Sequence, residues 1–160
     1  MSAGGASPHA VHTLDGLAPQ FREALVATLA ACRAAGMDAI AFETTRSDAL
    51  AQLYHKRGRP PTAEYPRPVT NAPDASWTWH GYSLAADIIS ESKEWDAGEA
   101  WFAKMATMAK AHGLKWGGDW KQADLPHVQW GRCKASPSKV ARDLYHAGQV
   151  AEVWRLVGAA

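Results

Sequence analysis

Two fragments of the chain carry the side chains best suited to chemistry. In "SWTWHGYSLAADIIS", residues 76–90, His80 stands seven positions before Asp87, and in "DLPHVQW", residues 124–130, Asp124 stands three before His127. In one straight strand over 80–87 the imidazole and the carboxylate would face opposite sides, about 23 Å apart at about 3.3 Å per residue. Gly81 and Ser83, flanking Tyr82, permit a turn instead, which folds His80 back over a strand beginning near residue 84. Ala85 and Asp87 then point the same way, and the small Ala85 leaves room beside the carboxylate for an ion. In the second fragment Pro126 keeps Leu125 extended and removes one backbone donor, so Asp124 and His127 bracket a rigid corner at the start of a strand.

Two histidines and one aspartate, His80, Asp87 and His127, form a three-ligand set suited to Zn²⁺, with a fourth position for water as in catalytic zinc sites. Asp124 is then a second carboxylate near the metal. Its natural role is general base, taking a proton from water whose pKa the ion lowers to about 7 and passing it to a leaving amine. A lone HxxxxxxD arises often from ordinary hydrogen-bonded histidines; the pairing with DxPH is what favours a metal. A Ser83–His80–Asp87 triad is the competing arrangement, but no GxSxG elbow surrounds the serine.

These residues need a frame. "APQFREALVATLAACRAAG" carries Phe21, Leu25, Thr28, Leu29 and Cys32 at three- and four-residue steps between Pro19 and Gly36, which predicts an amphipathic helix. "MDAIAFETT" predicts a strand, and "RSDALAQLYHKRG" a helix capped by Ser47 and stopped at Gly58. Five prolines from Arg59 to Asp74 predict a long loop, of the kind more often functional than idle. "LAADIIS", "LKW" and "PHVQW" read as strands, "AGEAWFAKMATMAKAHG" as a helix ending at Gly113, and the tail after Ser136 as two short helices. This order predicts an α+β fold with a small, mostly antiparallel sheet and flanking helices. Residues 1–15 are expected to form a flexible arm, and 16–160 one catalytic domain that includes the C-terminal helices.

The chain has 160 residues, 47% hydrophobic and 21% charged, with a net charge of +1, a size that buries a real core. Near-neutral charge predicts neither nucleic acid nor membrane as partner, and no apolar run suffices for membrane insertion. No signal-peptide pattern opens the sequence, so synthesis in the cytoplasm is expected. Cys32 and Cys133 match no CxxC pattern and are expected to be free thiols in a monomer. Of the eight tryptophans, Trp77, Trp79, Trp116, Trp120 and Trp130 crowd the motifs. Most are expected in packing roles, with Trp79 and Trp120 the candidates for a substrate groove.

The blocks "ETTRS", "LYHKRGR", "PVTNA", "TWHGYSLAAD", "KWGGDWK" and "DLPHVQW" resemble, in order, the zinc peptidases of the D-alanyl-D-alanine carboxypeptidase and L-alanyl-D-glutamate endopeptidase family, which includes phage endolysins. The resemblance spans about residues 37–130. It implies a hedgehog/DD-peptidase-like fold, zinc as cofactor, and hydrolysis of an amide bond in the stem peptide of peptidoglycan. By it, His80, Asp87 and His127 hold zinc, Asp124 is the base, and Arg46 meets substrate and the negative oxygen that develops during attack. Thr78 stands where the family usually has serine and keeps the hydroxyl, joining Arg46, Trp79 and Trp120 as substrate-binding residues. Ser83 stands where glycine is usual, in a turn that costs about 1 kcal/mol if φ is positive. An endopeptidase of the endolysin kind, acting on the wall after release, is preferred. A carboxypeptidase is the alternative, and a non-catalytic zinc-containing wall-binding module is the alternative of another class.

Overall fold

Residues 8–160 are described by the computed structural model of the chain. The stripe Phe21, Leu25, Thr28, Leu29 and Cys32 is the buried face of α1 (Pro19–Ala34), with Pro19 in its first turn. There follow β1 (Ala39–Glu43) and α2 (Asp48–Lys56), whose N-terminus is capped by Ser47 Oγ accepting from Leu50 N at 3.1 Å. The proline-rich stretch leads to two short 3-10 turns, Ala75–Trp77 and Trp79–Tyr82, and then to β2 (Ala85–Ser90). The remainder is α3 (Glu99–Ala111), β3 (Leu114–Trp116), β4 (His127–Trp130), α4 (Lys139–His146) and α5 (Val150–Leu156).

The four strands form one antiparallel sheet in the order β1-β2-β4-β3. β2 lies at its centre and is buried on both faces. Because side chains alternate along a strand, Ala86 and Ile88, with Val128 opposite Ala86, face one side, while Asp87, with His127 opposite it, faces the other. The first side joins Phe21 and Leu25 of α1 and Phe102 and Met105 of α3 in the hydrophobic core. The second side carries Ala85, Asp87 and Ile89 of β2 beside His127 and Gln129 of β4, so polar groups gather at its middle. An apolar sheet face covered by two helices thus supports a chemical face on its reverse.

Two further regions bear on the expected boundaries. Residues 1–7 of the arm lie outside the described residues, while within 8–15 the Val11 and Thr13 carbonyls accept bonds from the Thr44 hydroxyl at 3.0 and 2.6 Å, and Val11 also accepts from Thr44 N at 2.7 Å. At the other end, Ala141, Val153 and Ala159 are buried in the core. Trp154 Nε1 donates to Tyr82 O, and Trp130 Nε1 to Val157 O, each at 2.7 Å. Cys32 and Cys133 are free and buried. No helix among the described residues is long and apolar enough to cross a membrane.

Candidate metal centre

His80 is placed by its neighbours in sequence and across the fold. It lies in the second 3-10 turn, which Thr78 caps by accepting from His80 N at 3.4 Å, and its carbonyl accepts from Arg46 N at 2.9 Å. Ser83 ends the turn in the left-handed region, φ 59° and ψ 35°, which reverses the chain into β2. The serine hydroxyl is 2.8 Å from Thr45 Oγ1, a bond that glycine would lack. Asp87 and His127 are brought together by strand register, since they are direct partners between β2 and β4.

The corner before β4 is held from outside. Asp124 N donates to Gly117 O at 2.9 Å, His127 N to Asp124 O at 3.2 Å, and Trp116 Nε1 to Leu125 O at 2.6 Å. A Cβ at residue 117 would stand 2.6 Å from Asp124 O, so only glycine fits there. The block "KWGGDWK" is therefore the support of the block "DLPHVQW".

His80 Nε2 is 3.4 Å and His127 Nδ1 3.6 Å from Asp87 Oδ1, and the three donor atoms all lie within 4.8 Å of one another. Zinc bonds of about 2.0–2.1 Å in a tetrahedron put donors about 3.3 Å apart, so the spacing suits that ion. The outer ring nitrogens give a second test. His80 Nδ1 is 2.8 Å from Thr44 O, which can only accept, so Nδ1 carries the proton and Nε2 the lone pair. His127 Nε2 is 2.8 Å from Gln129 Oε1, and the Gln129 amide is oriented by its own donation to Lys134 O at 2.8 Å. His127 Nδ1 is then the free lone pair. With their outer nitrogens so bonded, both imidazoles turn their inner nitrogens toward the Asp87 carboxylate, an arrangement that a cation completes.

Electrostatics make this a place for positive charge, which the Asp87 carboxylate draws toward itself. Burial alone would raise the Asp87 carboxyl, but His80 and then His127 hold it well below the ordinary carboxylate range. Burial likewise opposes charge on His127, yet the Asp87 carboxylate outweighs it and raises the imidazole pKa. Asp124 is pushed up, by partial desolvation and then by the negative charge of Asp87. Its Oδ2 stands 3.9 Å from His127 Nδ1 and its side chain is half exposed, so it borders the donor set and is open to solvent.

Of the residues expected to meet substrate, Arg46 is buried beside the site, with Nε donating to Glu43 Oε1 at 2.5 Å and Cζ 4.9 Å from the Tyr54 ring centre. Trp120 is half-buried with its ring centre 4.9 Å from that of His127. Trp79 is a correction: it is only 5% exposed, packs 5.2 Å from Tyr82 and donates Nε1 to Lys134 O at 2.7 Å, so it is core rather than groove. Its indole is one of four among the described residues, with Trp116, Trp130 and Trp154, that tie backbone carbonyls. Thr78 acts on His80 as a cap and sits half-buried in the same turn.

Sequence reasoning missed Glu43 and Gln129. Register between β1 and β2 slips by one residue between Ala41 and Glu43, which sets Glu43 opposite Asp87 and on its face. Glu43, Asp87 and His127 thereby form one row across three strands. Gln129 was legible in principle, because it lies two residues past His127 and so on the same strand face.

The comparisons with known proteins fit this geometry. A family profile described as D-alanyl-D-alanine carboxypeptidase matches residues 71–130. The peptidoglycan L-alanyl-D-glutamate endopeptidase CwlK of Bacillus subtilis (strain 168) is 30% identical over 125 residues, covering 71% of this chain and 72% of that protein. The structure of the Serratia marcescens L-Ala D-Glu endopeptidase ChiX is similar with a TM-score of 0.54 at 20% identity, over 73% of this chain and 82% of that one. The vancomycin resistance D,D-pentapeptidase VanY, as its E175A mutant in complex with Zn(II), is similar with a TM-score of 0.53 at 15% identity, over 91% of this chain and 88% of that one. With donor set, fold and sequence in agreement, the chain belongs to the D-alanyl-D-alanine carboxypeptidase and L-alanyl-D-glutamate endopeptidase family of zinc peptidases that act on bacterial cell-wall peptides.

Proposed function

We propose that this chain is a zinc-dependent endopeptidase of the L-alanyl-D-glutamate type, hydrolysing an amide bond in the stem peptide of peptidoglycan. The observation that carries the reading is the convergence of His80 Nε2, Asp87 Oδ1 and His127 Nδ1, with both outer imidazole nitrogens spent on fixed oxygen acceptors. Zinc held by these three residues supplies polarisation of the scissile carbonyl and activation of water. Asp124, at the open edge of the set with a raised pKa, is suited to accept a proton at its carboxylate and return it to the leaving amine. Arg46 has its Nε committed to Glu43, which leaves the terminal nitrogens of the guanidinium for a substrate carboxylate or a developing oxyanion. Trp120 flanks the imidazole of His127 and offers an aromatic wall to the bound peptide.

The endopeptidase reading is supported by the 30% identity to CwlK, a relative so described. A D-alanyl-D-alanine carboxypeptidase is the second reading, favoured by the description of the matching family. A non-catalytic wall-binding zinc module is disfavoured by Asp124, since a purely structural site needs no extra carboxylate at its open edge. Digestion of purified peptidoglycan with the zinc-loaded protein, followed by mass spectrometry of the new termini, tests all three. New internal amino termini support the endopeptidase, release of terminal D-alanine alone supports the carboxypeptidase, and no new termini would leave the wall-binding module.

A further inference from the structure

The proline-rich stretch after α2 folds back on the helix end through named contacts. Gly58 has a φ of 82°, and a Cβ there would stand 2.1 Å from Arg67 O, so glycine lets the returning backbone close over the helix terminus. Arg59 spans the stretch, donating from Nη1 to His55 O at 2.5 Å and from Nη2 to Thr70 O at 3.0 Å. Thr62 N donates to Tyr65 O, and Tyr65 N to Thr62 Oγ1, both at 2.9 Å. That turn lays the Tyr65 ring 5.0 Å from Cζ of Arg57, and the Tyr54 ring is also 5.0 Å from it. The same Tyr54 ring lies 4.9 Å from Arg46 Cζ, and its hydroxyl donates to Glu43 Oε2 at 3.4 Å.

Arg57 differs from the arginines on either side of it. Arg46 is paired with Glu43 and Arg59 is bonded to two carbonyls, whereas Arg57 makes no salt bridge and no side-chain hydrogen bond among the described residues. Two tyrosine rings hold the guanidinium of the half-buried Arg57 by cation–π attraction, which fixes the group without using any N–H donor. A pre-oriented guanidinium with unspent donors is a receptor for a carboxylate, which it can bind through two parallel bonds. Through their shared ring the Arg46 and Arg57 guanidinium carbons are within about 10 Å of each other, the reach of about three extended residues.

We propose that Arg57, held by the rings of Tyr54 and Tyr65, is an anion subsite that receives a free carboxylate of the peptide substrate within about three extended residues of the group that Arg46 meets. It is thereby a specificity-determining residue, and the proposal rests on the peptidase reading above. Stem peptides present such a group in either reaction considered. A dicarboxylic residue joined through one carboxyl keeps the other free, and a peptide end is itself a carboxylate.

The test compares a soluble stem peptide carrying free carboxylates with its carboxamide counterpart, using the zinc-loaded protein. Arg57→Gln should raise KM for the acid peptide about tenfold while leaving kcat, and KM for the carboxamide, within about twofold. Arg57→Lys, which keeps charge without the fork, should fall between. Tyr65→Ala should share the acid-selective loss, because it acts by positioning Arg57, and Tyr65→Phe should restore the parent value. Calorimetric titration of both peptides in an Asp124→Asn background, with and without Arg57→Gln, gives a readout independent of turnover. Equal loss for acid and carboxamide, or parent-like selectivity in Arg57→Gln, would overturn the subsite. If the parent cleaved neither peptide, the peptidase reading would fail, and the titration would still decide the subsite by whether acid is preferred and whether Arg57→Gln abolishes that preference.

Discussion

Asp87 and His127 stand directly opposite each other on β2 and β4, with Oδ1 of the first 3.6 Å from Nδ1 of the second. Forty residues apart in sequence, they are neighbours because antiparallel register makes them so, and Gln129 on the same face fixes which imidazole nitrogen is free. Gln129→Ala removes the acceptor of His127 Nε2–H and leaves Lys134 O with the Trp79 indole as its remaining donor. Zinc affinity should fall about 10- to 100-fold, as for other outer-shell partners of metal-bound histidines. Gln129→Glu, which keeps an acceptor, should lose less; competition against a chelator measures both.

Asp124 borders the donor set without belonging to it. Asp124→Asn should keep zinc and fold while lowering the hydrolysis rate by about 10² to 10⁴, the usual contribution of general acid–base help. Zinc content and steady-state kinetics on a soluble stem peptide check the two halves. Hydrolysis at the parent rate would assign the base to another group.

The motif residues and the elements that carry them were legible because each depends on local pattern. The stripe of α1, the Ser47 cap and the turn forced by Gly81 and Ser83 follow from periodicity and side-chain chemistry within a few residues. The placement of Glu43 beside Asp87 was not legible, because it depends on a one-residue slip between Ala41 and Glu43 that only the sheet partner defines. Trp79 was misread for a related reason. Its place in the core depends on the chain around Lys134, far along the sequence, which offers a carbonyl to its indole.

Ser83 offers a stability test of the turn that aims His80. Ser83→Ala keeps the left-handed strain and loses the bond to Thr45, and should cost about 1 kcal/mol. Ser83→Gly relieves strain worth about 1 kcal/mol as it loses the same bond, so its net change should be smaller. Urea unfolding of the zinc-loaded variants compares them, and the reverse order would refute the assignment.

The tail is expected to be part of the catalytic domain. Deleting residues 136–160 exposes the surface that Ala141, Val153 and Ala159 cover and strips Tyr82 O and Trp130 Nε1 of their partners. Stability should fall by several kcal/mol, at about 1.5–3 kcal/mol per large apolar side chain uncovered. A truncated chain that melted at the parent temperature and cleaved soluble peptide, yet no longer bound whole wall, would make the tail a binding element instead.

The most direct measurement of the central claim is the zinc content of the purified parent beside His80→Ala, Asp87→Ala and His127→Ala. With three protein ligands the parent should hold about one zinc per chain, and each variant should lose most of it while its circular dichroism stays folded. Stripping the parent with a chelator should abolish release of new peptide termini, and added Zn²⁺ should restore it. Full zinc content in all three variants would contradict the account.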